Sequence, residues 1–292
     1  EAKVTKMLKE KGILKKEIGR DKFIGHAWDW TDKYGGIIIK QLKRLGSSCD
    51  WDREAFTMSD QYSKSVIHAF VKLYKDGMIY KGERMINWDP VGLTALSNEE
   101  VIYKEQKGKL WYFKYPVYGE DDYLVVATTR PETMLGDTGV AVNPQDKRYA
   151  KYIGKKIILP IVNKEIPIFG DNYVDKDFGT GCVKVTPAHD PNDLDMAHRN
   201  NLKIINIMNN NGSLNHNVPD KYQGLDRFKA RKKVIEEFEK LHLLEKVEDY
   251  THKVGFSERT DVVVEPKLSK QWFLKMKDLA KPALKVVHDE KI

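Results

Sequence analysis

The most constraining feature of this chain is a change of hydrophobic period at Leu110. Before it, apolar residues recur at helical spacing: Val4, Met7 and Leu8, then Ile37, Ile38, Leu42 and Leu45, then Val66, Phe70, Leu73 and Tyr74, closed by Asp76 and Gly77. After it the period falls to two, or to short apolar runs bounded by turn residues, which predicts strands at 110–115, 123–128, 139–142, 156–160, 165–169, 181–186 and 203–206. Helical starts follow Thr129, Asp146 and Asp190, and Asn209 to Gly212 reads as a loop. One long amphipathic helix is expected over 225–244, with Phe228, Val234, Ile235, Phe238 and Leu241 apolar. Residues 80–103 read as turn-rich short strands, 261–265 as a strand and 272–284 as a helix. The pattern predicts an α/β chain with a central domain at 116–250. A mostly helical segment, 1–115, precedes it and a return segment, 251–292, follows.

Composition narrows the class. At ~100–200 residues per domain, 292 residues fit two domains or one with a large insertion. A 41% hydrophobic fraction excludes a wholly disordered chain, and no run approaches the ~18 apolar residues of a membrane span. Cys49 and Cys182 are too few and too far apart for a disulfide framework or a two-cysteine zinc knuckle, so a reducing, cytoplasmic setting is expected. The chain begins at Glu1, and residues 1–16 are charged and helix-like rather than signal-like, as expected of a piece of something longer. The net charge of +7 points to a polyanion only where it is focused.

Three clusters in the central domain could carry chemistry. Thr128, Thr129, Arg130, Pro131, Glu132 and Thr133 follow a strand and open a helical turn. Their bland reading is capping beside a surface arginine; their functional one is free N–H groups, hydroxyls and a cation suited to a phosphate or ribose. In the second cluster, 178–186, Phe178 leads into a Gly179–Gly181 turn, and alternation puts Lys184 and Thr186 on one strand face. A strand lysine is usually a solvated charge, whereas Lys184 and Thr186 sharing a pocket wall could bind a small polar group. The third cluster is Pro187 to Asp193: Asp190 before Pro191 reads as an N-cap, with Asp193 one turn on. The alternative is two carboxylates ready for an ammonium. A metal site of His189, Asp190, Asp193 and His198 matches no established ligand spacing.

The strings VVATTRPETMLGDTGVAVN (125–143) and FGTGCVKVTPAHDPND (178–193) resemble the editing domain of valyl-tRNA synthetases. RLGSSCDWDREAFTMS (44–59), NWDPVGLTALSNEEV (87–101) and EPKLSKQWFLKM (265–276) resemble segments that flank it, so the likeness spans nearly the whole chain. Isoleucyl and leucyl relatives share the TRPET turn, and the KxT pair before PAHD resembles the valyl version. The HIGH and KMSKS motifs of class I aminoacylation are absent; KLSK at 267–270 runs into Gln271, Trp272 and Phe273 and is a decoy. No ATP-dependent ligation is therefore expected of this piece. Relatives with cysteine pairs near positions matching 88–90 and 255–257 bind zinc there; this chain has none, so neither metal nor other cofactor is expected.

The resemblance implies a mixed, β-barrel-like editing domain between mostly helical flanks, hydrolysing threonine misattached to tRNA(Val). Asp193 would hold the α-ammonium, and Lys184, Thr186 and Asp190 would surround the threonine hydroxyl. Thr128, Thr129, Arg130 and Thr133 would lie around the terminal adenosine and the ester, with Phe178 against base or ribose. Implied partners are the tRNA(Val) acceptor end carrying threonine and the rest of the synthetase, with no membrane. Basic residues at 3–22 and at Arg227, Lys229, Arg231, Lys232 and Lys233 are expected to face RNA. Three other readings remain open here: a catalytically idle tRNA-binding fragment, an isoleucyl-type editing domain, and a metal-dependent hydrolase using His189, Asp190 and His198.

Overall fold

Alternation along residues 123–128 makes a strand with one buried face: Leu124, Val126 and Thr128 point inward, and Tyr123 is exposed. Around such elements the computed structural model, which describes residues 1–177 and 179–291, sets out seven helices and ten strands. In chain order they are α1 (Ala2–Glu10), α2 (Lys15–Tyr34), α3 (Ile37–Arg44), α4 (Asp60–Lys75), β1 (Ile79–Asp89), β2 (Thr94–Leu96), β3 (Val101–Pro116), β4 (Tyr123–Thr128), β5 (Gly139–Val142), β6 (Lys156–Leu159), β7 (Lys164–Gly170), β8 (Cys182–Val185), α5 (Pro191–Arg199), α6 (Arg227–Lys240), β9 (Leu244–Ser257), β10 (Glu265–Leu274) and α7 (Met276–His288). Among the described residues no helix is long and apolar enough to cross a membrane.

The chain divides into two units, Glu1–Tyr80 with Trp272–Ile292, and Lys81–Gln271. In the first, Val4, Leu8 and Phe23 form a small core between α1 and α2, and α2 is broken at Gly19, whose φ is +76°. α3, α4 and α7 contribute no buried residue to it.

The second unit contains the residues expected at 116–250. β3 pairs antiparallel with β4 and, on its other edge, with β9. β5, apolar and wholly buried, lies between β7 (parallel) and β8 (antiparallel), with β6 outside β7. β1 lies between β2 and β10. A bridge from Val117 to Ile157 links the β3 hairpin to the β6 edge. Phe113, Tyr115, Leu124, Val126, Met134, Ile157, Ile168 and Ile207 fill the core, and α6 closes it with Ala230, Val234 and Phe238. The Phe113 and Phe238 ring centroids are 4.3 Å apart. Gly139 is required by close approach, since a Cβ there would lie 2.8 Å from the Phe169 ring.

The fold is thus mixed α/β, but among the described residues the three sheets are open and none closes into a barrel. Other expectations need adjusting. Residues 203–206 form no strand, because their neighbours are held by side chains: Asn215 and Asn217 both donate to the Asn206 carbonyl. The long helix ends at Lys240, and from Leu244 the chain is β9. The flanks are less helical than expected, supplying β1, β2, nearly all of β3, half of β9, and β10. Residues 272–274 complete β10, so α7 starts only at Met276.

Candidate functional site

β4 ends at Thr128, and the next residues turn into a short 3-10 helix, Pro131–Gly136, all six of whose residues are buried. The Thr128 hydroxyl accepts the Arg130 N–H at 3.0 Å, and Thr133 donates its hydroxyl to the Arg130 carbonyl at 3.0 Å. Both threonines therefore brace the turn, while Thr129 is half-buried at its apex. Gly136 ends the turn because a Cβ there would sit 2.9 Å from Ile207 Cγ2. This fixes the next residue, Asp137, beside β8.

Asp137 is the principal site residue that sequence reasoning passed over. It is 1% exposed, and its carboxylate gathers three donors: Tyr115 hydroxyl at 2.7 Å, Thr186 hydroxyl at 2.5 Å and Lys184 Nζ at 3.2 Å. Lys184 also donates to the Thr186 oxygen. Burial pushes the Asp137 carboxyl up, against the pull of Lys184 and the two hydroxyls. Lys184 and Thr186 share a strand face as alternation predicted, but the lysine is buried, not solvated, because this carboxylate lies opposite. One signal was available: an acid in a Gly-Asp-Thr-Gly turn directly before a wholly apolar strand has little water to face.

Asp190 caps α5, accepting the N–H groups of Asn192 at 2.8 Å and Asp193 at 3.3 Å, with Pro191 in the first turn. Asp193, 7% exposed, accepts the Thr186 N–H at 2.8 Å. Burial is the main cause that pushes its carboxyl up to about 7, with the Asp190 charge adding to it and Lys184 opposing. Thr186 thus joins two functions in one residue. Its amide holds Asp193, and its hydroxyl lies between Lys184 and Asp137.

His189 is 3% exposed, and its Nε2 accepts the Ile207 N–H at 3.1 Å. That bond fixes the proton on Nδ1, which is buried without a hydrogen-bond partner. Burial lowers its pKa to about 3, so the ring is neutral at physiological pH. With Nε2 occupied and Nδ1 protonated, neither ring nitrogen has a free lone pair to take a proton. A cavity of about 10 Å³ lies beside it, walled by Trp88, Asn206, Met208 and Lys267 among others.

Arg130 is bound on every side. Its Nη1 donates to the His189 carbonyl at 3.1 Å, its Nε to Glu132 at 3.4 Å, and its Nη2 to Glu265. The two carboxylates keep its guanidinium charged against burial. Glu132, fully buried, is also clamped by Arg231 through two bonds of 2.7 and 2.8 Å, and Glu265 by Arg227. Arg227 and Arg231 are therefore tied up in ion pairs inside the fold, which the expectation of an RNA-facing run did not include. On α6 the exposed cations are Lys229, Lys232, Lys233 and Lys240.

Thr128, Thr129, Arg130 and Thr133 thus occupy one turn, and Lys184, Thr186, Asp190 and Asp193 the stretch from β8 to the first turn of α5, the two joined by the Arg130 bond to His189. Phe178 lies outside the described residues. Among the described residues no three His, Cys, Asp or Glu side chains gather to hold a metal, and His198 is exposed on α5. A concavity of about 510 Å³ lies elsewhere, lined by Gln145, Asp146, Lys147, Arg148, Lys176, Asp177 and Gly179.

The profile of the class I tRNA synthetases (I, L, M and V) matches residues 1–292. The chain belongs to that family. Its relatives within the family include valine–tRNA ligases: those of Bacteroides fragilis and Parabacteroides distasonis are each 56% identical over 292 residues, and that of Clostridium tetani is 52% identical. Each alignment covers 100% of this chain and 33% of the relative, so the chain spans about a third of the length of these class I synthetases. A solved ternary complex of LeuRS, tRNA and LeuAMS from Agrobacterium radiobacter K84 is 19% identical, with a TM-score of 0.38, covering 91% of this chain and 39% of that one. A likeness that slight carries no weight here.

Proposed function

We propose that this chain carries a post-transfer editing site of the valyl type, hydrolysing the ester that joins threonine to tRNA(Val). The observation that carries this reading is the double use of Thr186. A threonyl ester bears its ammonium and its hydroxyl on adjacent carbons, so its reader needs an anion and a hydroxyl partner within one residue's reach of each other. Thr186 supplies that spacing: Asp193 on its amide and the Lys184–Asp137 pair on its hydroxyl.

The selectivity follows from the cost of unpaired polar groups. Valine and threonine are nearly isosteric, and an apolar pocket separates them poorly. A site built on Lys184, Thr186 and Asp190 would separate them the other way, since a threonine hydroxyl can exchange hydrogen bonds with these groups and a valine methyl cannot. Ionised Asp193 holds the α-ammonium, whose charge favours the carboxylate over its protonated form. The turn from Thr128 to Thr133 receives the terminal adenosine, and the partner is the acceptor end of tRNA(Val). The nucleophile is a water positioned at the ester carbonyl, with hydrogen-bond donors at the developing oxyanion. His189 is not its base.

One experiment tests the proposal: deacylation of threonyl and valyl esters of the same tRNA by this chain. Cleavage of the threonyl ester well ahead of the valyl ester is expected. Equal rates would remove the hydroxyl-reading pocket, and binding without cleavage would leave a tRNA-binding fragment only.

A further inference from the structure

We propose that Glu265 is a positioning residue for this site and acts through Arg130; the proposal rests on the deacylation reading above. Glu265 opens β10, lies outside the central span of 116–250, and is 6% exposed. One carboxylate oxygen takes Arg130 Nη2, and the other takes Arg227 Nη1 at 2.5 Å. Arg227 is in turn anchored on the Val263 carbonyl at 2.7 Å. Five side chains therefore alternate in sign: Arg231, Glu132, Arg130, Glu265 and Arg227.

Arg130 is the central member, and it bonds both stretches of the site. Its backbone N–H and carbonyl hold Thr128 and Thr133, and its Nη1 holds the His189 carbonyl, one residue before Asp190. Where this guanidinium sits, together with the bonds of Lys184 and Thr186 to Asp137, sets the separation between the ester-binding turn and the ammonium-binding turn. Glu132 is a neighbour on the same turn, itself held from α6 by Arg231. Glu265 comes from a distant strand and is the fixed point from which the guanidinium is aimed. With Glu265 neutral, Nη2 loses its anionic partner and the His189 bond loses its restraint, so the two turns are free to drift apart. Displacements of about 1 Å in such settings cost on the order of 10² in rate.

The test is E265Q in the whole chain, read against wild type. Expected is a fall of roughly tenfold to a hundredfold in kcat for threonyl-tRNA deacylation, with KM changed by less than about threefold. Because E265Q leaves Arg227 buried without its anion, E265Q/R227M is made as well; it should recover thermal stability but not kcat. Recovery of kcat along with stability would reduce Glu265 to a structural role and overturn the proposal, as would an unchanged kcat in E265Q. A readout free of turnover is the arginine Nη–Hη NMR spectrum, in which the Arg130 signal should exchange faster in E265Q, since Nη2 is the atom Glu265 takes, while that of Arg231 stays protected. An unaltered Arg130 signal would overturn the clamp. A wild-type chain that cleaves neither ester would instead sink the deacylase reading, and the positioning role with it.

Discussion

Lys184 Nζ lies 3.2 Å from Asp137 Oδ1, and 9% and 0% of the two side chains are exposed. A buried pair of this kind contributes little net stability while whole, but breaking it leaves a charge with no counterpart. Lys184→Met should therefore destabilise the chain by about 3 kcal/mol. Lys184→Met with Asp137→Asn should give most of that back, because the stranded carboxylate is gone. Urea denaturation of the two variants checks this. Equal losses in single and double variants would mean that the pair's charge is not what the fold is compensating.

Asp193 opposes folding, and in the proposed site it would hold the ammonium. Its carboxyl is raised from 3.8 to about 7 in the folded chain, so between those values the folded state holds a proton that the unfolded state has released. Stability is unaffected below about pH 4, falls as pH rises to 7, and stays reduced above it. Asp193→Asn keeps an oxygen for the Thr186 amide and removes the charge. The variant should match wild type at pH 4 and melt higher at pH 8, by at most about 4 kcal/mol at ~1.4 kcal/mol per unit. It should also lose deacylation. Calorimetry at the two pH values checks the first half, and the ester assay checks the second.

The same carboxylate sets a pH profile. With ionised Asp193 required, kcat/KM for the threonyl ester should decline as pH falls through about 7. Asp190 contributes to the high value through its charge. Asp190→Asn retains an N-cap side chain and removes that charge, so the midpoint should move to lower pH even if the overall rate drops. A midpoint that stays put would show that some other group governs the acid limb.

How far these relationships were legible in the sequence depends on where the partners lie. The strands at 123–128 and 139–142 were readable because one face, or both, is buried and the apolar residues say so. The ribbon of β3 and β9 was not: from Ile102 to Lys107 and from Glu245 to Asp249 both faces meet water, so no period of two is written there. Lys184 could be placed on the right face but not recognised as buried, since Asp137 meets it only across the β5–β8 pairing. Arg227 and Arg231 sat in a basic run that resembled an RNA-facing surface. Only the fold brings Glu265 and Glu132 from 38 and 99 positions away to neutralise them. Local pattern is written in the sequence, whereas charge pairing over such distances is a product of packing.

His189 supplies the last prediction. It stands between the two turns, where a catalytic base would be expected, yet its Nε2 is spent on the Ile207 amide and its ring stays neutral to about pH 3. His189→Ala should therefore lower stability, by about 1–3 kcal/mol for the Ile207 N–H left buried without an acceptor. The kcat/KM profile between pH 6 and 8 should keep its shape, because Asp193 and not His189 titrates there. Thermal melts and a pH–rate series on one preparation separate the two effects. Loss of the acid limb in His189→Ala, with the fold intact by circular dichroism, would return the histidine to the role of base and require its ring to flip on substrate binding.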